Sequence, residues 1–366
     1  MPLPAIMVAR PVRYFLVVGE SHKVEPVKKR DRLPTRDDVA ELAGVSAAVV
    51  SYVVNDGPRP VAADTRARVL AAIKELGYRP NQLARGLKAR QSLSVGLIVP
   101  SLTNTIYSEI ALGLKDSLLS EGYSLFLCET EDDAEHALRF AVALDAKRVD
   151  GAIIIPTDEP DRLIDTFAAG ATPLVVLEYA ARGTPSIVID EILGGRLAAQ
   201  HLLDLGHTRL AVVRGATTAR TSSKRIDGAK GALGESGIEL DPDLVGEVAD
   251  HFDLAEAENV AMRILDRADP PTGVLSHNDM IAMTVISAAR KLGMSVPEDL
   301  SVVGYDDIAL AAFTSPPLTT VKLQKRDLGR LAGNMLRDQM IGEMVSPPVT
   351  TLRPELVVRE STGPIR

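Results

Sequence analysis

Covalent chemistry has little to work with in this 366-residue chain. It contains no Gly-x-Ser-x-Gly elbow for a nucleophilic serine, no Gly-Lys-Ser/Thr loop to cradle phosphates and no His-Glu-x-x-His pair for zinc. Cys128 is the one cysteine, which excludes an intrachain disulfide and a cysteine-built metal site. His207, in Leu205-Gly206-His207, is one of six histidines and reads as a structural residue leading into a strand rather than a base. No catalytic residue, metal site or cofactor is expected. Basic groups are more informative. Residues 1–92 hold 16 Lys/Arg against 9 Asp/Glu, a net +7, whereas 93–366 hold 25 against 40, a net −15. A small basic head can meet phosphates while a large acidic body keeps the molecule soluble. Arg214, Arg220, Lys224 and Arg225 form a second basic stretch. It could serve an anionic ligand such as a sugar acid or sugar phosphate, but a solvated helix face is the plainer reading.

The length suggests two or three domains. Apolar residues at 46% and charged residues at 25% are ordinary for a globular protein. No apolar stretch reaches the roughly 18 residues that would cross a membrane, and a lone cysteine fits a reducing cytoplasm. Residues 1–32 carry four prolines and Lys28-Lys29-Arg30, with arginines at 10 and 13 interrupting any secretory core. They read as a disordered basic extension, with Val27 as an alternative start.

From Thr35 the pattern turns helical. Thr35 can cap a helix whose first turn holds Asp37 and Asp38, followed by Val39, Ala40, Leu42 and Ala43 at helical spacing. Gly44 breaks it, Val45 fills the turn, and Ser46 caps a second helix from Ala47 to about Asn55. The small Ala40 lets two helices approach, as a helix-turn-helix requires. A third helix is expected over about 62–76, ended by Gly77.

Four elements in order, Asp38-Val-Ala-Glu-Leu-Ala-Gly-Val-Ser46, Val50-Ser-Tyr-Val-Val-Asn55, Thr65-Arg-Ala-Arg-Val69 and Leu76-Gly-Tyr-Arg-Pro-Asn81, resemble the headpiece of the LacI/GalR (lactose/galactose repressor) family of bacterial transcription regulators. The resemblance implies that the second helix enters the major groove. The reading positions would be Ala47, Ala48 and Tyr52, and phosphates would be held by Thr35, Ser46, Ser51 and Asn55. Family members often carry Arg where this chain has Tyr52. Two alanines and a tyrosine offer methyl contacts and one hydroxyl, with no bidentate arginine for guanine. Asn81, Ala84 and Leu87 fall on the family's hinge helix, where Leu87 matches the leucine wedged into the minor groove. Gly86 weakens that short helix by about 1 kcal/mol relative to Ala.

Beyond residue 92, apolar runs at 95–99, 124–127, 151–155, 174–177, 187–189, 210–213, 273–275 and 301–303 alternate with amphipathic stretches. Runs buried on both faces and separated by helices mean parallel sheets. The expected fold is α/β: an N-terminal all-α helix-turn-helix headpiece and a two-lobed sensor with doubly wound parallel sheets. Motifs such as Val302-Val-Gly-Tyr-Asp-Asp307 and Pro317-Leu-Thr-Thr-Val321 extend the resemblance to about 35–361 and imply a periplasmic-binding-protein-like sensor. The expected domains are 1–32 (extension), 33–80 (headpiece), 81–92 (hinge) and 93–366 (sensor). Within the sensor, lobe one would be 93–190 with 322–346, and lobe two 191–319 with 348–361. The resemblance places ligand contacts at Asn104, Tyr107, Thr221, Arg225, Phe252, Asn278 and Asp306, with Glu178 a weaker candidate. Helix capping is the competing role for Asn278. Where the family usually reads Asn-Pro-Phe-Phe or Asn-Pro-Phe-Tyr, this chain reads Asn104-Thr-Ile-Tyr107.

The leading reading is therefore a cytoplasmic, homodimeric, sequence-specific repressor. It would bind a pseudo-palindromic double-stranded operator under control of a carbohydrate-like effector. A corepressor-dependent regulator or activator of the same fold is the alternative, followed by a solute-binding protein, for which the body alone would serve, and then an enzyme. No leucine heptad follows the last strand, so a four-chain assembly is not expected.

Overall fold

The computed structural model describes residues 34–55, 59–78, 91–118, 121–156, 158–215, 220–249, 253–345 and 348–365. The chain divides into two compact units, Met1–Arg85 and Gly86–Arg366.

In the first unit, α1 (Arg36–Ala43), α2 (Ala47–Asn55) and α3 (Ala63–Leu76) follow in order. A capping box starts α1. The Thr35 hydroxyl and backbone N–H both donate to the Asp38 carboxylate, at 2.7 and 2.6 Å, and Asp38 N–H donates back to Thr35 Oγ1. Two orphan N–H groups of the first turn are thereby satisfied. Gly44 ends α1 at φ 63°, left-handed backbone that disfavours a side chain. Val39, Ala40, Ala43, Val50, Val53, Val69 and Ala72 form the core that the three helices share. The third helix begins one residue later than expected, with Ala62 at its cap position making no side-chain hydrogen bond.

The second unit holds two six-stranded sheets. Lobe one contains β1 (Ser94–Val99), α4 (Thr105–Leu118), β2 (Ser124–Glu129), α5 (Ala134–Ala146), β3 (Gly151–Ile154), α6 (Pro160–Ala169), β4 (Leu174–Leu177) and β5 (Ser186–Ile189). Lobe two contains α7 (Glu191–Asp204), β6 (Leu210–Gly215), α8 (Arg220–Glu235), β7 (Val245–Val248), α9 (Leu254–Leu265), β8 (Gly273–Ser276), α10 (Asp279–Lys291), β9 (Ser301–Asp306) and β10 (Thr319–Lys322). The chain returns to lobe one with α11 (Lys325–Met340) and β11 (Val349–Leu352), then to lobe two with β12 (Glu355–Val357). The sheet orders are β11-β5-β4-β3-β1-β2 and β12-β10-β9-β8-β6-β7. All pairings are parallel except β10–β12.

Two expectations are corrected. The last crossover lies between Leu352 and Glu355, not near 347, because Val349–Leu352 pairs in parallel with Ser186–Ile189 and completes the first sheet. Nor is every apolar run buried on both faces. Strand β2 is a sheet edge, and Phe126 and Leu127 on it are 40% and 43% exposed. Four strands, β7, β10, β11 and β12, stand outside the apolar runs. Strand β10 shows why. Thr319 and Thr320 are fully buried, yet read as polar. Thr319 Oγ1 accepts from Arg359 N–H at 2.9 Å and pairs with Thr362 Oγ1 at 3.0 Å, and Thr320 Oγ1 donates to Asp279 at 2.5 Å. Hydrogen bonds rather than hydrophobicity admit these side chains to the interior.

Candidate functional site

The outward face of α2 is built by spacing. Val50 and Val53 of α2 face the headpiece core. At 100° per residue, positions 48, 51, 52 and 55 fall on the opposite arc, while Ala47 lies at its edge and packs against the core. Ala48 is exposed there, and Ala47, Ser51 and Tyr52 are half-buried. Asn55 ends the helix on the same arc. Ser46 is exposed at the start of α2, its hydroxyl accepting from Val49 N–H at 3.4 Å, a long capping contact. Thr35 is turned to the Asp38 cap. The structure thus brings Ser46, Ala48, Ser51 and Tyr52 onto one accessible face, with Ala47 at its edge against the core. Asn81, Ala84 and Leu87 of the expected hinge, and Phe252, lie outside the described residues.

The cleft of the second unit forms where strands end, the general position for ligands in doubly wound sheets. Asn104 follows β1. Its Oδ1 accepts from Ile106 N–H at 3.0 Å, turning the chain into α4, and its Nδ2 donates to Asp306 Oδ2 across the cleft at 3.2 Å. Asp306 ends β9 with φ 103°, a backbone conformation rare for a side-chain-bearing residue. Its Oδ1 is buried without a hydrogen-bond partner. Burial pushes the Asp306 carboxyl up, against the pull of Arg225, Lys325 and Asn104. Glu178 follows β4, also at positive φ. Burial, with Glu191 and Asp306 nearby, pushes it up to about 7, opposed by Arg225 and Arg220.

Arg225 projects from α8. Its Nε donates to Glu191 Oε2 at 2.7 Å, Nη2 to Glu191 Oε1 at 3.3 Å, and Nη1 to the His277 carbonyl at 2.5 Å. The guanidinium lies 3.7 Å from the Tyr305 ring centroid, and the Tyr305 hydroxyl donates to Glu191 at 2.7 Å. Three of the five N–H groups of Arg225 are therefore engaged within the protein. Close helix packing places this group. A Cβ at Gly195 of α7 would meet the Arg225 carbonyl, and one at Gly194 the Tyr305 hydroxyl.

The remaining candidates separate. Tyr107 is buried on α4, and burial followed by Glu178, Asp132 and Asp306 raises its phenol well above the ordinary value. Thr221 is half-buried near the start of α8. Asn278 caps α10, its Oδ1 accepting from Ile281 N–H at 2.8 Å, so its oxygen has the capping role. His207 bonds through both ring nitrogens, to Thr272 at 3.0 Å and the Gly363 carbonyl at 2.9 Å, and burial lowers its pKa. The arginines of the 214–225 stretch are all engaged: Arg214 with Glu247, Arg220 with the Pro156 carbonyl at 2.7 Å and the Tyr179 ring, Arg225 with Glu191.

Sequence reasoning overlooked Glu191 and Tyr305 as cleft residues. Glu191 is the first residue of α7, where an acid is expected for the helix dipole alone. Its position just beyond the carboxyl end of β5 was the available signal. Among the described residues no cluster of His, Cys, Asp and Glu could hold a metal. None of the described helices is long and apolar enough to cross a membrane.

Two sequence signatures match the chain: bacterial regulatory proteins of the lacI family over residues 35–81, and a periplasmic binding protein-like domain over 199–362. The HTH-type transcriptional repressor PurR of Haemophilus influenzae (strain PittEE) is 35% identical over 341 residues, covering 91% of this chain and all of that protein. The ribose operon repressor of Escherichia coli (strain K12) is 37% identical over 333 residues, covering 90% and 100%. Among solved structures, the lac repressor dimer bound to operator and the anti-inducer ONPF matches with a TM-score of 0.80 at 31% identity, covering 91% of this chain and all of that one. A complex of the transcriptional regulator CelR with cellobiose matches with a TM-score of 0.67 at 31% identity, covering 90% and 99%.

Proposed function

This chain belongs to the LacI family of bacterial regulatory proteins, and on that premise we propose that it is a dimeric, operator-binding transcriptional repressor controlled by a small molecule held between the two lobes of residues 86–366. One observation carries the control element. Asn104 of lobe one and Asp306 of lobe two meet across the cleft, and the second oxygen of Asp306 is buried there with no donor. A ligand donor at that oxygen would bind both lobes at once. Closure about the ligand then changes how the lobes, and the hinge leading to the headpiece, are presented to DNA. Linkage requires operator to change ligand affinity by the same factor.

In this reading Ala47, Ala48 and Tyr52 meet base edges, and Thr35, Ser46, Ser51 and Asn55 position phosphates. Asn81, Ala84 and Leu87 belong to the hinge, with Leu87 as the minor-groove wedge. Asn104, Tyr107, Thr221, Arg225, Phe252, Asn278, Asp306 and Glu178 surround the effector, which is carbohydrate-like. Each headpiece of a symmetric dimer takes one half-site of a pseudo-palindrome. The protein works in the cytoplasm and does not turn its ligand over.

The test begins with selection of binding sites from randomised duplex DNA. A two-fold-related consensus, whose affinity changes when ligand is added, is the expected result. Binding with no preference over random duplex, beside intact ligand binding, would leave a solute-binding protein instead. Leu87→Ala should weaken binding to the selected site far more than to random duplex; equal losses on both would remove the wedge assignment.

A further inference from the structure

The charge of the cleft is unbalanced. Glu191 and Asp306 act on Glu178, and Glu178, Asp132 and Asp306 act on Tyr107, opposed among the described residues by Arg220, Arg225 and, at Asp306, Lys325. The arginine at the centre of the cleft, Arg225, presents no open edge. The Nε–Nη2 edge of Arg225, the pair of donors that suits a planar carboxylate or a phosphate, is taken by Glu191. Both side chains of that pair are shielded, at 12% and 4% exposure. Arg220 is turned to the Pro156 carbonyl and stacks 4.8 Å from the Tyr179 ring centroid. Two of the groups the cleft leaves over are carboxylate acceptors. Asp306 Oδ1 lies 4.0 Å from Arg225 Nη2 and has no hydrogen bond. Glu178 makes none among the described residues. An anionic ligand would sit against these carboxylates with the Arg225 edge already taken by Glu191. A ligand with several hydroxyl donors would satisfy them.

We infer that the cleft takes an uncharged, hydroxyl-rich ligand, and that Glu191 sets this specificity by occupying Arg225 and so turning away sugar acids and sugar phosphates. The inference rests on the cleft being the effector site. It differs from that reading in assigning the selection against anions to one residue, the first of α7.

Calorimetry on the full-length wild type and Glu191→Gln tests it. The probes are matched trios: ribose, ribonate and ribose 5-phosphate; glucose, gluconate and glucose 6-phosphate; galactose, galactonate and galactose 6-phosphate. The wild type should bind the neutral member of at least one trio about tenfold or more tighter than its anionic partners. Glu191→Gln, with folding checked by circular dichroism, should narrow that gap by about tenfold through gained affinity for the anions. Three results overturn the inference. They are a wild type that prefers an anion, a wild type silent to every neutral member up to about 10 mM, and a folded Glu191→Gln whose ratio is unchanged. The wild-type comparison decides even where the variant does not fold. Operator selection is scored separately. Lost DNA selectivity with intact sugar selectivity defeats the proposed function alone, and the reverse outcome defeats this inference alone.

Discussion

At the scale of single residues, the cleft is governed by carboxyl groups held where water would ordinarily screen them. Glu178 is pushed up to about 7 and Asp279, buried beneath the Asp306–Asp307 turn, to about 8. Each has a folded-state pKa above its unfolded value. The stability each contributes is present below the unfolded carboxyl range, near pH 4, and is lost as pH rises through 7 and 8. Glu178→Gln removes the charge but keeps the shape. It should melt above wild type at about pH 8.5 and with it at about pH 4; a gain of equal size at both pH values would mean that charge is not the cause. In the headpiece, Thr35→Ala removes half of the capping box and should cost about 1 kcal/mol. Faster amide exchange confined to α1 and its packing partners would show it.

At the scale of elements, glycines decide how closely helices approach. A methyl group at Gly195 would meet the backbone of Arg225, and one at Gly228 the backbone of Ile192 on the facing helix. Backbone cannot swing aside as a side-chain tip can. Gly195→Ala should therefore cost about 1–3 kcal/mol and weaken ligand binding, because α8 carries Arg225. Gly231, on the same helix, is exposed, has ordinary helical φ and has open space at its Cβ position. Gly231→Ala should instead stabilise by about 0.4–1 kcal/mol. Melting temperatures of the two variants in parallel check both signs; two losses of similar size would show that the α7–α8 contact is not the constraint. The local signals of sequence work at this scale. Thr35, Gly44 and Ser46 mark helix limits because caps and left-handed turns are made by the residues at those positions. The strand at Thr319–Lys322 escapes the apolar pattern because its threonine hydroxyls are satisfied by Arg359 N–H, Thr362 and Asp279, partners no periodicity contains.

At the scale of the whole molecule, three crossings of the chain between lobes make the cleft a joint. Lys325, the first residue after the second crossing, is buried and donates from Nζ to the Asp307 carbonyl at 2.9 Å. The backbone beside the ligand site is thus tied to the helix that returns to lobe one. A ligand joining the lobes at 100 times its dissociation constant should raise stability by about 2.7 kcal/mol. That is several degrees of melting temperature, read in a thermal-shift panel of sugars. The same ligand must shift operator affinity if the units are coupled. A large thermal shift with unchanged operator binding would show a sensor disconnected from its headpiece.

The sequence by itself determined the helix-turn-helix of 35–55, the alternation that makes two doubly wound lobes, the family, and the placing of Arg225 and Asp306 among candidate contacts. Each of these is written in neighbouring residues, through caps, periodicity and motif spacing. The tertiary structure alone decided that Arg225 is occupied by Glu191, 34 residues earlier in the chain, and that Asp306 meets Asn104, 202 residues earlier, with one oxygen unsatisfied. It also decided that residues 349–352 complete the first sheet. Those facts depend on which strands lie side by side and where their ends converge. Sheet order is set by packing across the whole fold, and no local pattern records it.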